Sequence, residues 1–353
     1  MQHYLTFLLF LASINLLTAQ IPNGYYNAAT GLSGSELHQA LHNIIKNHNA
    51  VTYSSIWDHQ ENTDKKANGK VWDIYSDIPG GNPPYEYTFG SDQCGNYNGE
   101  GDCYNREHSF PSSWFGGNVA PMYTDMHHIY PTDGFVNQKR GNFPYGEVNN
   151  ATWTSMNGSR LGNNSTAGYS GVVFEPIDAY KGDLARSHFY MATRYLGEDG
   201  GWPGSPSFDG SQMEEWTLTL LYDWHQNDPV STKEINRNNA VYQIQNNRNP
   251  FIDHPEYASL IWFFTSIDNE RNAGSGFRVY PNPAKDLVNI ACSKPLVNAG
   301  FTITDQAGRI VCAGQIEGEA VKTLDISFLA GGFYLVTIHE SDGQGVQTFK
   351  LIK

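Results

Sequence analysis

The chain has 353 residues, 39% hydrophobic and 13% aromatic, which suits about two domains and excludes a disordered polypeptide. Its formal charge of −14 excludes a protein that grips nucleic acid by bulk electrostatics, leaving room only for a local basic groove. Lys/Arg and Asp/Glu cancel within residues 276–353, so the acidic surplus belongs to the larger N-terminal body.

Tyr4 to Leu17 is almost wholly apolar, and Ala19 offers a small residue before Gln20, the pattern of an export signal, although no Lys or Arg precedes it. The run is short for a membrane span, so the sequence predicts an exported protein without a transmembrane segment once the signal is removed. Ser35 to Asn47 places Leu37, Ala40, Leu41, Ile44 and Ile45 at helical spacing, with Ser33 or Ser35 as cap. Residues 53–104 are rich in Gly, Asn, Pro and Tyr and predict loop, except Lys70 to Asp77, which alternates like a strand. An exported protein makes two local cysteine pairs, Cys94/Cys103 and Cys292/Cys312, candidate disulfides. A Cys94–Cys103 bridge would contribute roughly 2–3 kcal/mol and stiffen the chain just before Glu107.

The chemistry concentrates in residues 105–142. A Glu107-His108 pair is followed by Asp125-Met126-His127-His128, and then by Asn137 in the stretch Gly134 to Asn142. A carboxylate and a carboxamide offer hard oxygen ligands to a divalent cation, and an imidazole is a base near neutral pH. Adjacent residues on a strand face opposite sides, so Glu107 and His108 can serve metal and water separately. This is the pattern of a metal-assisted phosphodiesterase. A zinc hydrolase built on His108, His127 and His128 is an alternative, though no H-E-x-x-H or H-x-x-E-H spacing occurs. A non-catalytic surface-binding protein is another.

Residues 149–170 are Asn/Ser/Thr/Gly-rich and predict a surface excursion. Asp183 to Leu196 and Met213 to Gln226 predict two helices, the second ended by Asp228-Pro229. After Phe264 a polar linker, Asp268 to Gly276, leads into short β-like runs at 287–291, 300–304, 309–312, 332–339 and 347–352. They predict an all-β sandwich without chemistry of its own.

Residues 104–147 resemble the endonuclease I family of His-Me finger (ββα-metal) nucleases. The likeness rests on Glu107-His108, on Asp125 to His128, and on Gly134-Phe135-Val136-Asn137-Gln138-Lys139-Arg140-Gly141-Asn142. It continues through Phe174-Glu175-Pro176, Lys181 to Arg186, Tyr190 to Tyr195, Asp228-Pro229-Val230-Ser231 and Asn247 to Pro255, covering most of residues 30–265. The resemblance implies His108 as general base and Glu107 and Asn137 as ligands of one Mg²⁺ (Mn²⁺ or Ca²⁺ as substitutes); Asp125, His127 and His128 are read as supporting groups behind them. Ser109 to Thr124 contains no Arg or Lys where some relatives carry a phosphate-binding Arg. Transition-state charge then falls to Arg106, Arg140 or Arg186, or to the metal.

The C-terminal module resembles the type A sorting domain of the type IX secretion system of Bacteroidetes. The matching residues are Val279-Tyr280-Pro281-Asn282-Pro283-Ala284, Asp305-Gln306-Ala307-Gly308-Arg309, Leu329 to Tyr334 and Lys350-Leu351-Ile352-Lys353. Together the readings predict an α+β nuclease domain followed by a small immunoglobulin-like sandwich. The expected divisions are a signal peptide at 1–19, a catalytic domain at 20–266, a linker at 267–277 and a sorting domain at 278–353. The expected protein is a monomeric, secreted or cell-surface enzyme of a Gram-negative, Bacteroidetes-like bacterium. It would cleave DNA and RNA with little sequence preference, leave 5′ phosphates as the resemblance implies, and engage the type IX machinery through its C-terminal domain.

Overall fold

The computed structural model describes residues 21–263, 277–280, 282, 284–292, 299–305, 307–316, 321–340 and 346–353. The expected signal peptide lies outside the described residues, as does nearly all of the expected linker. No helix among the described residues is long and apolar enough to cross a membrane.

The N-terminal body is mixed α and β. Helix α1 (Gly34–Ile45) begins after Ser33 and buries Leu37, Leu41 and Ile45, the stripe its spacing predicts. Helix α2 (Ile56–Thr63) occupies ground predicted as loop. Strands β1 (Tyr104–His108) and β2 (Ile129–Asp133) pair antiparallel, with Glu107 opposite Tyr130 and His108 opposite Ile129. Helix α3 (Gly134–Arg140) follows β2 without a loop and packs on both strands. Strands β3 (Val148–Thr154), β4 (Arg160–Asn164) and β5 (Val172–Glu175) form a meander. The predicted surface excursion is thus largely a β-hairpin whose outer residues are exposed.

Helix α4 (Lys181–Arg194) is buried along its whole length and packs against α5 (Glu215–Asn227), with the two-residue strands β6 (Phe208–Asp209) and β7 (Gln212–Met213) between them. Helices α6 (Thr232–Gln245), α7 (Pro250–Asp253) and α8 (Tyr257–Trp262) complete the body. Helix α6 escapes hydrophobic periodicity because its buried face is Glu234, Arg237, Asn238, Val241 and Gln245. A capping box supplies its start: Ser231 accepts from the Glu234 N–H while the Glu234 carboxylate accepts from the Ser231 N–H.

The predicted strand at 70–77 does not form. Val71 makes one isolated bridge to Lys65, and the chain then turns because the Asp73 carboxylate accepts the Tyr75 N–H at 2.8 Å. That local side-chain bond competes with a ladder.

The C-terminal region is all β. One sheet has the order β11 (Ile310–Ile316), β10 (Ala299–Asp305), β13 (Phe333–Glu340), β14 (Val346–Ile352). The other runs β12 (Val321–Asp325), β9 (Leu287–Cys292), β8 (Phe277–Tyr280). Alternate residues of both sheets, among them Val288, Ile290, Phe301, Ile303, Val336, Ile338, Phe349 and Leu351, form a core separate from that of the N-terminal body.

Candidate active site

Cys94 and Cys103 form a disulfide whose Cα atoms are 5.8 Å apart, immediately before β1. The bridged loop is tied to the start of α3. Gly134 donates its N–H to the Cys103 carbonyl at 2.9 Å, and Gly101 donates to the Asp133 carboxylate at 2.8 Å. Asp133 caps α3 by accepting the Val136 N–H at 2.7 Å. A Cβ at Gly134 would stand 2.6 Å from the Tyr97 ring, so glycine lets the loop close on the helix. Cys312 on β11, of the second candidate pair, is a free thiol.

Asn105 and Glu107 share one face of β1, and α3 lies across that face. The Asn137 amide N–H donates to Asn105 Oδ1 at 2.7 Å. One turn on, the Arg140 guanidinium stands 3.3 Å from Glu107 Oε1. Asn137 and Glu107 therefore sit diagonally across the strand–helix contact. Glu107 is 2% exposed, and Oε1 also accepts from the Tyr75 hydroxyl at 3.0 Å. Burial pushes its carboxyl up to about 7 against the opposing pull of Arg140. Glu107 Oε2 and Asn137 Oδ1 accept no hydrogen bond from the described protein. The donor set is thus two hard, unspent oxygens, one on a desolvated carboxylate that a dication would stabilise in its charged form. That chemistry fits Mg²⁺, which needs few protein ligands.

His108 faces the other way. Its Nε2 lies 3.1 Å from the Tyr123 carbonyl, and its ring stacks on Tyr123 with centroids 5.0 Å apart. A carbonyl only accepts, so Nε2 carries the proton and Nδ1 presents the lone pair. Burial, reinforced by His128, lowers the imidazole pKa to about 3 and keeps it uncharged at neutral pH.

The remaining predicted residues divide. Arg106 lies between the rings of Tyr53 and Trp57, its Cζ 3.6 and 4.2 Å from their centroids. One terminal nitrogen donates to the Tyr53 carbonyl at 2.6 Å, and no carboxylate pairs with it among the described residues. Arg140 is 1% exposed, donates to the carbonyls of His108 at 3.0 Å and Ser109 at 2.6 Å, and lies over the Tyr145 ring. It braces the strand end that carries the candidate base. Arg186 is not brought to this group: it is fully buried on α4, its fork bound to Glu234 at 2.5 and 2.9 Å and to the Asp228 carbonyl. Those contacts leave it no donor for a phosphate, because the helix pair it joins has excluded solvent.

Asp125 lies behind β2 and accepts from Tyr190, Tyr195, Gln245 and the His127 N–H. His127 and His128 turn Nε2 to the carbonyls of Asn247 and Met122, at 3.2 and 2.8 Å. No group of three or more His, Cys, Asp or Glu is placed to hold a metal ion among the described residues, so the zinc alternative finds no ligand set. Arg237 donates to the carbonyls of Met126 and Ile129 while paired with Asp64, which fixes the turn into β2.

Motif reading missed Tyr75, Asn105, Tyr123 and Tyr145, which orient the named groups from outside the motif's key positions. Only Asn105 carried a signal, as the polar residue two before Glu107 on the same strand face.

Comparison with known proteins gives the family. Residues 33–256 match the Endonuclease I family model, and residues 278–353 match that of the Secretion system C-terminal sorting domain. An extracellular ribonuclease of Bacillus amyloliquefaciens is 38% identical over 245 residues, covering 67% of this chain and 78% of that protein. One from Bacillus subtilis is 36% identical with the same coverage. An extracellular deoxyribonuclease of Aeromonas hydrophila is 26% identical over 132 residues, covering 37% of this chain and 50% of its own. The sorting domain, with extracellular nucleases as relatives, marks a secreted or cell-surface protein. With the β1–β2–α3 unit carrying Glu107, His108 and Asn137 inside the matched region, the chain belongs to the Endonuclease I family and is an endonuclease joined to a secretion sorting domain.

Proposed function

We propose that this protein is a Mg²⁺-dependent endonuclease of the His-Me finger type that hydrolyses DNA and RNA with little sequence preference and leaves 5′ phosphates. The observation that carries the reading is the state of His108. Nε2 donates its hydrogen to the Tyr123 carbonyl, which leaves Nδ1 of His108 as a neutral acceptor on the residue next to Glu107. In this mechanism Nδ1 takes a proton from water, and the water oxygen attacks phosphorus as the bond to the 3′ oxygen breaks. The departing oxygen gains its proton from solvent. Glu107 Oε2 and Asn137 Oδ1 would hold Mg²⁺, which supplies charge neutralisation for the phosphoryl oxygens and the leaving oxygen. Arg106, without a carboxylate partner among the described residues, is the cation assigned to a non-bridging phosphate oxygen; Arg140 is spent on Glu107 and two carbonyls.

Contacts to phosphate rather than to base edges account for weak sequence preference. RNA enters the reading because the ribonuclease relatives span most of the nuclease body, DNA because the deoxyribonucleases share part of it. The address is read as type IX, from the C-terminal residues that resemble a type A signal. The test is plasmid DNA and single-stranded RNA incubated with Mg²⁺, Zn²⁺ or EDTA. His108→Ala should lower the rate by roughly 10²–10⁴ with an unchanged circular dichroism spectrum. Full activity of that variant, or activity indifferent to EDTA, would overturn the assignment.

A further inference from the structure

Within residues 21–263, Lys46, Lys70, Arg106 and Lys139 are the basic side chains without a carboxylate of the described residues within salt-bridge distance, in a chain where acids outnumber bases 36 to 22. Lys46 and Lys70 spend their ammonium groups on Asn43 and Thr88. The other two flank the candidate site, and each stands on a pair of aromatic rings. Arg106 has Tyr53 and Trp57. Lys139, two residues past Asn137 on α3, has Phe135 at 5.1 Å and Trp153 at 5.9 Å, and donates no hydrogen bond to protein among the described residues.

Lys139 and Phe135 are four residues apart and so share one helix face, turned well away from the face that carries Asn137 and Arg140. Trp153 reaches them from β3, its ring 6.3 Å from that of Phe135, in a stretch whose neighbours 149–152 and 154 are exposed. A helix is about 10 Å across, which sets this group roughly two nucleotides from the metal ligands. An unpaired ammonium held over half-exposed rings offers one charge for a phosphate and a π-face for a base. The face is useful only to a base that is out of a duplex.

We infer that Lys139, Phe135 and Trp153 form a second nucleotide subsite, which takes one phosphate and one unpaired base of a single-stranded polynucleotide on the far side of α3 from the scissile bond. The inference rests on the nuclease reading and adds a preference for single strands. The strand then runs from Arg106, across Glu107 and His108, to Lys139.

The test uses the full chain carrying His108→Ala, so that bound strands stay intact. Fluorescein-labelled oligothymidylate, oligouridylate and a matched duplex are titrated in Mg²⁺ at several salt concentrations. Adding Lys139→Gln should lower the slope of log affinity on log salt by about 0.7 for the single strands, the value of one phosphate contact. Lys139→Arg should retain the slope, and Lys46→Gln should leave it unchanged. Trp153→Ala should weaken single-strand binding about tenfold or more, and this loss should vanish on an abasic oligomer. An unchanged slope in Lys139→Gln, or an equal loss for abasic and normal strands in Trp153→Ala, would overturn the subsite. Duplex binding stronger than single-strand binding and equally sensitive to Lys139 would overturn the single-strand assignment. If the protein with His108 intact cleaves neither single strands nor duplex in Mg²⁺, the nuclease reading fails instead, and the two failures are distinct.

Discussion

Arg140→Met is the perturbation whose size the structure sets most directly. The guanidinium is 1% exposed and faces Glu107, itself 2% exposed, at 3.3 Å. Its two terminal nitrogens satisfy the carbonyls of His108 and Ser109, and its plane lies 4.6 Å from the Tyr145 centroid. Methionine fills much of the volume but removes every donor. Breaking a buried pair by deleting one partner costs about 3–5 kcal/mol, since the remaining charge is uncompensated. Each orphaned carbonyl costs about 1–3 kcal/mol where water cannot replace the donor.

These terms share atoms and are not additive, so the expected loss is about 4–5 kcal/mol. In a Glu107→Gln background no charge is stranded, and the same substitution should cost about 2–3 kcal/mol, a coupling of about 2 kcal/mol. The assay is urea unfolding followed by tryptophan fluorescence in EDTA. All 8 Trp lie between residues 57 and 262, so the signal reports the nuclease body alone. A loss below about 1 kcal/mol, or an identical loss with Gln at position 107, would refute the reasoning that Arg140 neutralises this carboxylate.

Asn105→Ala removes the acceptor that orients the Asn137 amide, so the Mg²⁺ concentration for half-maximal cleavage should rise about 10–100-fold, read from a metal titration; an unchanged midpoint would refute the orienting role. His188 lies among Phe110, Trp114, Tyr145 and Phe208, and burial lowers its pKa from 6.5 to about 3. The unfolded chain therefore binds the proton first as pH falls, and stability from this group, full above 6.5, drains away down toward 3. Relative to His188→Leu, the native protein should lose up to about 1.4 kcal/mol per pH unit in that window, and parallel curves would exclude the effect. Replacing both Cys94 and Cys103 by Ser should lower the stability of the nuclease body by roughly 2–3 kcal/mol in the same urea assay; an unchanged midpoint would show the loop to be held by its hydrogen bonds alone.

Residue order by itself carried the two family resemblances, which the matches over residues 33–256 and 278–353 support. A short motif carries its residue types with it, and amphipathic helices such as α1 and α5 show their buried stripe or their end signals. It could not choose among three arginines, because partners distant in the chain decide each case. Glu234, 48 residues from Arg186, consumes that side chain. Glu107 claims Arg140 from across the strand–helix contact, and of the three only Arg106 is left without a carboxylate among the described residues. Helix α6 was silent for a related reason: its buried face is polar, held by Glu234, Arg237, Asn238 and Gln245, and hydrophobic spacing cannot register a helix that is packed through hydrogen bonds. The tautomer of His108 was likewise undecidable from residue order, since it depends on a carbonyl 15 residues away that tertiary folding brings to 3.1 Å. Local spacing encodes which groups are present, whereas burial and the pairing of distant partners set their charge, orientation and availability.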